Sequence, residues 1–470
     1  MRNLETDVAV IGAGTAGLAA YRAVRSHGKR AVLIEGGPYG TTCARVGCMP
    51  SKLLIAPAEA AHAIGRLPAF GLRAPGRVEV DGKAVMARVR RERDRFVGFV
   101  IHSVEAIPES DKLRGYARFL DDHTLAIDDH VLLKAGRVVI ATGSSPSYPP
   151  TWRALGDRVV TTDDVFYWDD LPRRVAVFGP GVIGLEIGQA LHRLGVEVKV
   201  FGRGGGVGPL TDPPLVAYAR KTLGAEFYLD TDAHAEVSRD GDEVVVKFVD
   251  LDRRERIERF DYLLAATGRT PNVRNLGLEN TSVAVDRFGV PEYDATTLQI
   301  GQSSLFIAGD VNGDLQLLHE AADEGRIAGE NAARHPDVRP GFRRARLAVV
   351  FTDPQIAIVG GGLAAIRDQP CVTGEVSFEN QGRSRVILRN VGLLHVYADP
   401  GTGLFLGAEM IGPDAEHIGH LLAWALQMNL TVAEMLRMPF YHPVVEEGLR
   451  SALRDAQAQV EAATEAKRAA

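Results

Sequence analysis

An α/β fold class, with two similar α/β units followed by a smaller α+β unit, is what this sequence predicts, and three observations predict it. A buried-type strand, a glycine-rich turn, a helix and a returning strand follow one another from Asp7 to Glu35. The same order recurs from Arg174 to Gly202. From about residue 346 the texture changes, with strand-like segments at Val349–Val359 and Gly392–Met410 and a helical one at Glu416–Met428. A chain of 470 residues has room for two to four domains with large cores.

The first unit begins with Asp7-Val-Ala-Val-Ile11, a short apolar run of the kind found in parallel strands buried on both faces. Gly12, Gly14 and Gly17 then punctuate the turn into Leu18–Arg25, and Ala31–Ile34 returns as a strand ending at Glu35. Gly12 suits a tight turn, Gly14 the approach of a pyrophosphate to the backbone, and Gly17 close packing of helix on strand. Glu35 stands where an acid binds a ribose hydroxyl pair. This is a dinucleotide-binding unit of Rossmann type.

Residues 39–55 carry the chemistry. Cys43 and Cys48, two of only three cysteines, stand with four residues between them. Residues five apart in a regular helix are separated by roughly 7.5 Å along the axis and face different ways, whereas a disulfide needs Cα atoms within about 7 Å. If the two bond, the segment is a distorted turn leading into a helix, bent at Gly47, with Pro50 in the first helical turn. A helix N-terminus also favours a thiolate. The alternative is a pair of unbonded structural thiols.

Helical character follows at Ala58–Arg66 and Val85–Ser103, with a Pro/Gly-rich break between Pro68 and Gly82. Residues 112–133 read as an antiparallel meander. Arg137–Gly143 reads as a strand ending in a turn, with a candidate boundary at Ser144–Pro150.

The second unit repeats the first. Gly179, Gly181 and Gly184 lie between the strand Arg174–Phe178 and a helix over Leu185–Leu194, with Val196–Phe201 returning. Gly12 and Gly179 are 167 positions apart, and the same shift carries Glu35 onto Gly202. The second site therefore lacks the ribose-binding acid, and Arg203 follows, as would suit a 2′-phosphate. Equally, Gly202–Gly208 reads as a flexible loop whose arginine is merely solvated. Strands are expected at 244–250 and 258–267, and Ala265-Ala-Thr-Gly268 echoes Ala141-Thr-Gly143. Ser304–Asp310 reads as a strand running into a turn with an acid, and a helix beginning near His319 could aim its N-terminus at an anion. The chain closes with His442-Pro-Val-Val-Glu-Glu447 and a helix, whose Ala/Glu-rich tail after Arg454 reads as solvated or frayed.

Composition excludes several classes. Hydrophobic residues make up 46% and charged residues 24%, as in ordinary globular proteins. A net charge of −6 without long like-charged runs argues against nucleic acid or anionic membrane as partner. Three cysteines are too few for a secreted disulfide scaffold, and Cys371 reads as a bystander. No apolar run is long enough to span a membrane, and the apolar start lacks the basic region of a signal peptide. A cytoplasmic location is expected, where a disulfide is more often catalytic than structural. No metal site is expected.

Taken together, Thr42-Cys-Ala-Arg-Val-Gly-Cys-Met-Pro-Ser-Lys52, the two glycine turns, Gly309-Asp310 and His442-Pro-x-x-x-Glu447 resemble the flavin-dependent pyridine nucleotide–disulfide oxidoreductases over essentially the full length. The dihydrolipoyl dehydrogenase branch is the nearest, with glutathione and mercuric reductases as cousins. The resemblance implies a Cys43–Cys48 redox disulfide, with Cys43 the outer sulfur attacked by substrate and Cys48 the inner one facing the flavin. His442, from the other subunit, would take the thiol proton, and Glu447, rather than its neighbour Glu446, would orient it. Lys52 and Glu186 would pair beside the flavin; the plainer reading is an ordinary ion pair between helices. Asp310 would bind the flavin side chain, and Thr42, Thr142, Gly143, Gly268 and His319 would lie at the cofactor sites.

The domains implied are 1–147 for FAD and the disulfide, 148–271 for the nicotinamide cofactor, 272–345 completing the FAD site, and 346–470 for dimerisation. The activity implied is oxidation of dihydrolipoamide by NAD⁺ in a homodimer, as part of cell redox homeostasis, with a 2-oxoacid dehydrogenase complex as partner assembly. Three departures point elsewhere: Ala44-Arg45 replaces the family's Leu-Asn, Gly202 replaces an acid, and Arg203 matches the glutathione reductase pattern. They keep NADP and reduction of glutathione or another small disulfide as the alternative. No cysteine pair follows His442, which argues against mercuric and thioredoxin reductases.

Overall fold

In the computed structural model, residues 1–73 and 78–469 are described. The break expected between Pro68 and Gly82 falls in part on 74–77, outside the described residues. The architecture is mixed α/β, and the chain divides into two compact units. The first comprises Met1–Pro50, Arg88–Ser147 and Gly268–Arg343; the second comprises Ser51–Ala87, Tyr148–Thr267 and Arg344–Ala470. Among the described residues no helix is long and apolar enough to cross a membrane.

The first unit is built on a seven-stranded sheet. Lys112–Arg114, Ala31–Glu35, Arg2–Ile11, Val131–Ile140 and Leu305–Ile307 run parallel, and Thr124–Ile127 and Ala117–Phe119 add an antiparallel hairpin. The meander expected over 112–133 is therefore shorter. Lys112–Arg114 instead extends the parallel edge, with buried Leu113 paired to Ile34, and the chain leaves it at Gly115 with φ 138°. Burial along Val131–Ile140 explains its two roles: it alternates beside the hairpin and becomes continuous over Val138–Ile140, where helices cover the sheet. Val8 and Val10 pack towards the helices Thr15–Ser26 and Leu318–Arg334, and Ala9 and Ile11 towards the opposite core. Those helices touch closely because Gly325 and Gly329 carry no Cβ, which would lie 2.1 Å from Ala16 O and 2.4 Å from Ala20 O.

The second unit holds a five-stranded parallel sheet in the order Tyr228–Asp230, Glu197–Phe201, Arg174–Phe178, Tyr262–Ala265, Val159–Val160. A three-stranded antiparallel sheet, Ala235–Asp240, Glu243–Val249 and Glu255–Phe260, lies in the same unit. The five-stranded antiparallel sheet of the C-terminal part runs Leu347–Val350, Gln355–Val359, Phe405–Gly412, Leu393–Ala398, Val372–Ser377. The sequence reading passed over Ala235–Asp240 and Val372–Ser377, both of which are poor in consecutive apolar residues and largely exposed on one face or more. The tail after Arg454 is helical, one of the two expected readings, and is largely exposed over 461–468, while the part before it is packed. The helix Glu447–Ala469 packs on Val372–Ser377, burying Ala452, Ala456 and Val460, which recur every fourth residue on one face.

Candidate functional site

The first glycine turn is shaped by backbone contact. Gly12 has φ 108°, and a Cβ there would lie 2.3 Å from Ala141 O; one on Gly17 would lie 1.8 Å from Gly12 O. A Cβ on Gly14 would meet nothing within 4 Å, so this glycine leaves open space at the N-terminus of Thr15–Ser26, which has no side-chain cap. That open cradle fits the pyrophosphate of a dinucleotide such as FAD. Glu35 closes the site: its Oε2 accepts the Ala13 N–H at 2.8 Å and its Oε1 the Gly37 N–H at 2.7 Å. Beyond Glu35, a Cβ on Gly36 would lie 2.5 Å from the ring of exposed Tyr116. From the sequence Tyr116 reads only as part of the meander.

Gly143 and Gly268, which close the two Ala-Thr-Gly segments, lie in the same unit. Thr142 Oγ1 donates to Asn272 O at 2.7 Å, Asn272 N donates to Gly143 O at 2.9 Å, and Ser147 N donates to Gly268 O at 2.9 Å. Ser144–Pro146 pairs antiparallel with Arg269–Pro271. Asp310 accepts the Ser144 hydroxyl at 2.9 Å, and Arg269 Nε donates to that same hydroxyl at 2.8 Å. Gly309 N and Asn312 Nδ2 both donate, at 2.7 Å, to Oε2 of buried Glu324, whose Oε1 accepts Arg343. Burial pushes the Glu324 carboxyl above its ordinary range. Glu324 thus holds the turn that presents Asp310. Sequence reading missed it, because an acid within a helix looks solvated until the packing is known. His319 is exposed at the second position of Leu318–Arg334.

The cysteine segment is two helices joined by a bend. Thr42–Val46 and Cys48–Gly65 are separated by Gly47, at φ −125° and ψ −118°. A Cβ on Gly47 would lie 3.1 Å from the Cys43 Cα, so the bend brings the chain back over the first cysteine. Thr41 enters it in a strained conformation, φ 56°, and its hydroxyl accepts the Ala44 N–H at 3.3 Å. The Arg45 stem lies against Gly40. Cys43 is half-buried, Cys48 is exposed, and both are thiols here. The hydrogen bond between them, burial and the charge Cys48 can carry all push the Cys43 thiol up. Cys48 is the first residue of the longer helix. Exposed Thr42 opens the shorter one. Cys371 is half-buried in the second unit, and burial followed by the Asp212 charge pushes its thiol up.

Lys52, one turn along from Cys48, pairs with Glu186 at 2.8 Å. Glu186 is buried, accepts the Phe351 N–H at 2.9 Å, and the Lys52 ammonium lies 4.4 Å from the centre of the Phe351 ring. Phe351 was not singled out from the sequence.

The second glycine turn copies the first. A Cβ on Gly179 would lie 2.2 Å from Ala266 O, one on Gly184 1.9 Å from Gly179 O, and one on Gly181 in open space. This cradle also fits a dinucleotide. Gly202 is buried and Arg203 exposed. Arg203 lines an open groove of about 560 Å³.

In the C-terminal part, His442 Nδ1 lies 2.9 Å from Glu447 Oε2, and Arg450 Nη2 donates to Glu447 Oε1 at 2.8 Å. No hydrogen bond between Glu446 and the histidine occurs among the described residues, so Glu447 is the partner. Partial burial works against the charged carboxylate, but the His442 hydrogen bond, the Val444 N–H and the His442 and Arg450 charges hold Glu447 below its ordinary value. Among the described residues no group of three or more His, Cys, Asp or Glu could hold a metal ion.

Known proteins resemble this chain in sequence and fold. The sequence model of the family described as pyridine nucleotide-disulphide oxidoreductase matches residues 6–325, and that of its dimerisation domain matches residues 347–453. A dihydrolipoyl dehydrogenase of Thermus scotoductus is 32% identical, over 95% of this chain and 96% of that one. Dihydrolipoyl dehydrogenase 3 of Haloarcula marismortui is 28% identical over 96% of each chain. A mercuric reductase of Acidithiobacillus ferrooxidans is 30% identical, over 95% of this chain and 82% of that one. Among solved structures, LpdA of Mycobacterium tuberculosis superposes with a TM-score of 0.81 at 26% identity, covering 96% of this chain and 99% of that one. The Cu(II) complex of the HOCl-induced flavoprotein disulfide reductase RclA of Escherichia coli gives a TM-score of 0.81 at 22% identity with the same coverage, a likeness of fold.

Proposed function

The chain belongs to the pyridine nucleotide-disulphide oxidoreductase family, whose members depend on FAD and use NAD(P)H, and from that premise we propose that it is a dihydrolipoyl dehydrogenase-type enzyme working through a Cys43–Cys48 disulfide. The observation that carries the reading is the bend at Gly47, which folds the chain back over Cys43 and sets Cys48 at the N-terminus of Cys48–Gly65.

In the oxidised enzyme one thiolate of a small dithiol attacks Cys43 Sγ, which forms a mixed disulfide and breaks the Cys43–Cys48 bond. Cys48 leaves as a thiolate, stabilised at the helix terminus. The second substrate thiol attacks the mixed disulfide, closing the substrate disulfide and releasing Cys43. His442 Nε2 takes the proton of the attacking thiol, and Glu447, bonded to Nδ1, fixes the ring. In the homodimer that the dimerisation domain supports, His442 of one protomer serves the cysteine pair of the other. The substrate has then lost two electrons and two protons: the cysteine pair holds the electrons as a Cys43 thiol and a Cys48 thiolate, the second proton having gone to Cys43 and the first resting on His442. FAD, when bound, would supply the two-electron route from the dithiol to the nicotinamide nucleotide. The Gly14 cradle and Glu35 would hold the nucleotide of FAD and Asp310 its side chain. Residues 1–147 and 272–345 make up the FAD part, 148–271 the nicotinamide part and 346–470 the dimerisation part.

The test is turnover of FAD-loaded protein with dihydrolipoamide, offered NAD⁺ and NADP⁺ separately. Ping-pong reduction of either nucleotide supports the reading, and absence of turnover with both overturns it. A second reading, NADPH-dependent reduction of glutathione disulfide or another small disulfide, is favoured by Arg203 beside a position that carries no acid.

A further inference from the structure

The two glycine turns superimpose in register but differ at one pair of residues. In the first unit Gly12 N donates to Ile34 O at 2.8 Å, and in the second Gly179 N donates to Phe201 O at 2.8 Å. Ala13 and Pro180 hold the same place between the first two glycines, and Glu35 and Gly202 the same place after the returning strand. In the first unit these positions are bonded: the Ala13 N–H orients the Glu35 carboxylate. Pro180 has no N–H to offer. Its ring also fills the space in which a side chain at 202 would begin. A Cβ on Gly202 would lie 2.6 Å from Pro180 Cγ, 2.8 Å from Pro180 Cδ and 2.9 Å from Thr231 O.

Gly202 is thus more than the loss of an acid. Its backbone is tied on both sides, with Gly202 N donating to Asp230 O at 2.6 Å and Ala233 N donating to Gly202 O at 2.9 Å, so it cannot swing away from the ring. Arg203, the next residue, is exposed on the groove it lines with Lys247 and His234, and neither Arg203 nor Lys247 makes an ion pair among the described residues. Asp232, Glu236 and Glu255 line the same groove.

We propose that Pro180 is a specificity-determining residue for the nicotinamide nucleotide. It removes both the amide and the room that an acid at 202 would need, and it leaves the ribose to be recognised through a 2′-phosphate by Arg203. The inference rests on reading the second glycine turn as the nicotinamide site, and it adds that selectivity is set by a coupled pair rather than by position 202 alone. Removing the ring has a defined consequence. Of the three atoms nearest a Cβ at 202, the Thr231 carbonyl oxygen then remains, 2.9 Å away, so the backbone there must shift to admit the acid.

The experiment measures binding of 5′-AMP and 2′,5′-ADP to the FAD-loaded protein by calorimetry, a readout independent of turnover. The unmodified protein is expected to bind 2′,5′-ADP at least about tenfold more tightly than 5′-AMP, and Arg203→Ala to bring the two within about threefold. Gly202→Glu alone is expected to bind neither probe better. Adding Pro180→Ala to it should restore 5′-AMP binding and reverse the preference. Should Gly202→Glu fail to fold, as judged by FAD retention and melting, rescue of folding by Pro180→Ala demonstrates the same coupling. Reversal of preference by Gly202→Glu alone, or equal binding of both probes by the unmodified protein, overturns the proposal and leaves the nicotinamide site standing. If neither probe, nor NADH or NADPH, binds a protein that holds FAD, both the proposal and the site reading fall.

Discussion

His442 and Glu447 form a two-point contact, Nδ1 lying 2.9 Å from Oε2 and 3.1 Å from Oε1, with the histidine side chain 79% exposed and the carboxylate only 16%. The less exposed member orients the exposed one. Glu447→Gln keeps the shape but loses the charge, and we expect kcat/KM for the dithiol to fall by about tenfold or more. His442→Ala should cost roughly 10²–10⁴-fold, the usual worth of a positioned general base. KM for the nicotinamide should stay unchanged in both. Loss confined to the nicotinamide half-reaction would refute this role.

Gly47 is expected to be intolerant for a steric reason. A methyl group there would stand 3.1 Å from Cys43 Cα and 3.2 Å from Thr42 O. Gly47→Ala should destabilise by about 1–2 kcal/mol, as overpacking does, and misplace Cys43 relative to Cys48. The check is the rate at which the reduced pair re-forms a disulfide under a fixed glutathione redox buffer. An unchanged rate would show that the bend does not set the pair.

The Lys52–Glu186 pair joins a partly exposed ammonium to a carboxylate that is 4% exposed. Glu186→Ala leaves the ammonium over the Phe351 ring without its counter-charge and frees the Phe351 N–H. Discounted for the exposure of Lys52, the expected cost is about 2 kcal/mol, read as a lowered denaturant midpoint. A midpoint unmoved by this change would make the pair energetically idle.

Asp353 gathers Arg389 at 3.1 Å, Arg193 at 3.3 Å and Arg66 at 3.9 Å. Burial opposes its charge, but the three guanidinium groups hold its carboxyl below the ordinary 3.8. The unfolded chain therefore binds this proton more readily than the folded one. The stabilisation is fully present above that ordinary value and is lost as pH falls through the depressed one. Asp353→Asn should cost about 3 kcal/mol near neutrality and flatten the acid limb of the stability–pH curve. Equal acid sensitivity of the two proteins would contradict the assignment.

Local pattern carried most of the fold and much of the candidate site. The glycine turns were legible because each glycine answers a local need, such as the 1.8 Å approach that a Cβ on Gly17 would make to Gly12 O. The residues that hold the site from behind were not legible. Glu324 reads as a solvated helix acid, yet it is 1% exposed and anchors Gly309. Phe351 and Tyr116 act through contacts distant in sequence. The tail after Arg454 reads as a solvated helix and is one over 461–468, but the burial of Ala456 and Val460 ahead of it depends on packing that the sequence does not display. Pro180 was visible as a letter, but its meaning lies in the 2.6 Å separation from a side chain Gly202 lacks.

The most direct test of the central claim is dihydrolipoamide-dependent reduction of nicotinamide nucleotide by FAD-loaded protein, compared with Cys48→Ser retaining the same FAD. The account predicts that Cys48→Ser loses turnover by at least about 10³-fold, since no disulfide can form and no electrons reach the carrier through the pair. Turnover within about tenfold of the unmodified enzyme would contradict it, because the electrons would then be travelling by a route that does not pass through Cys43 and Cys48.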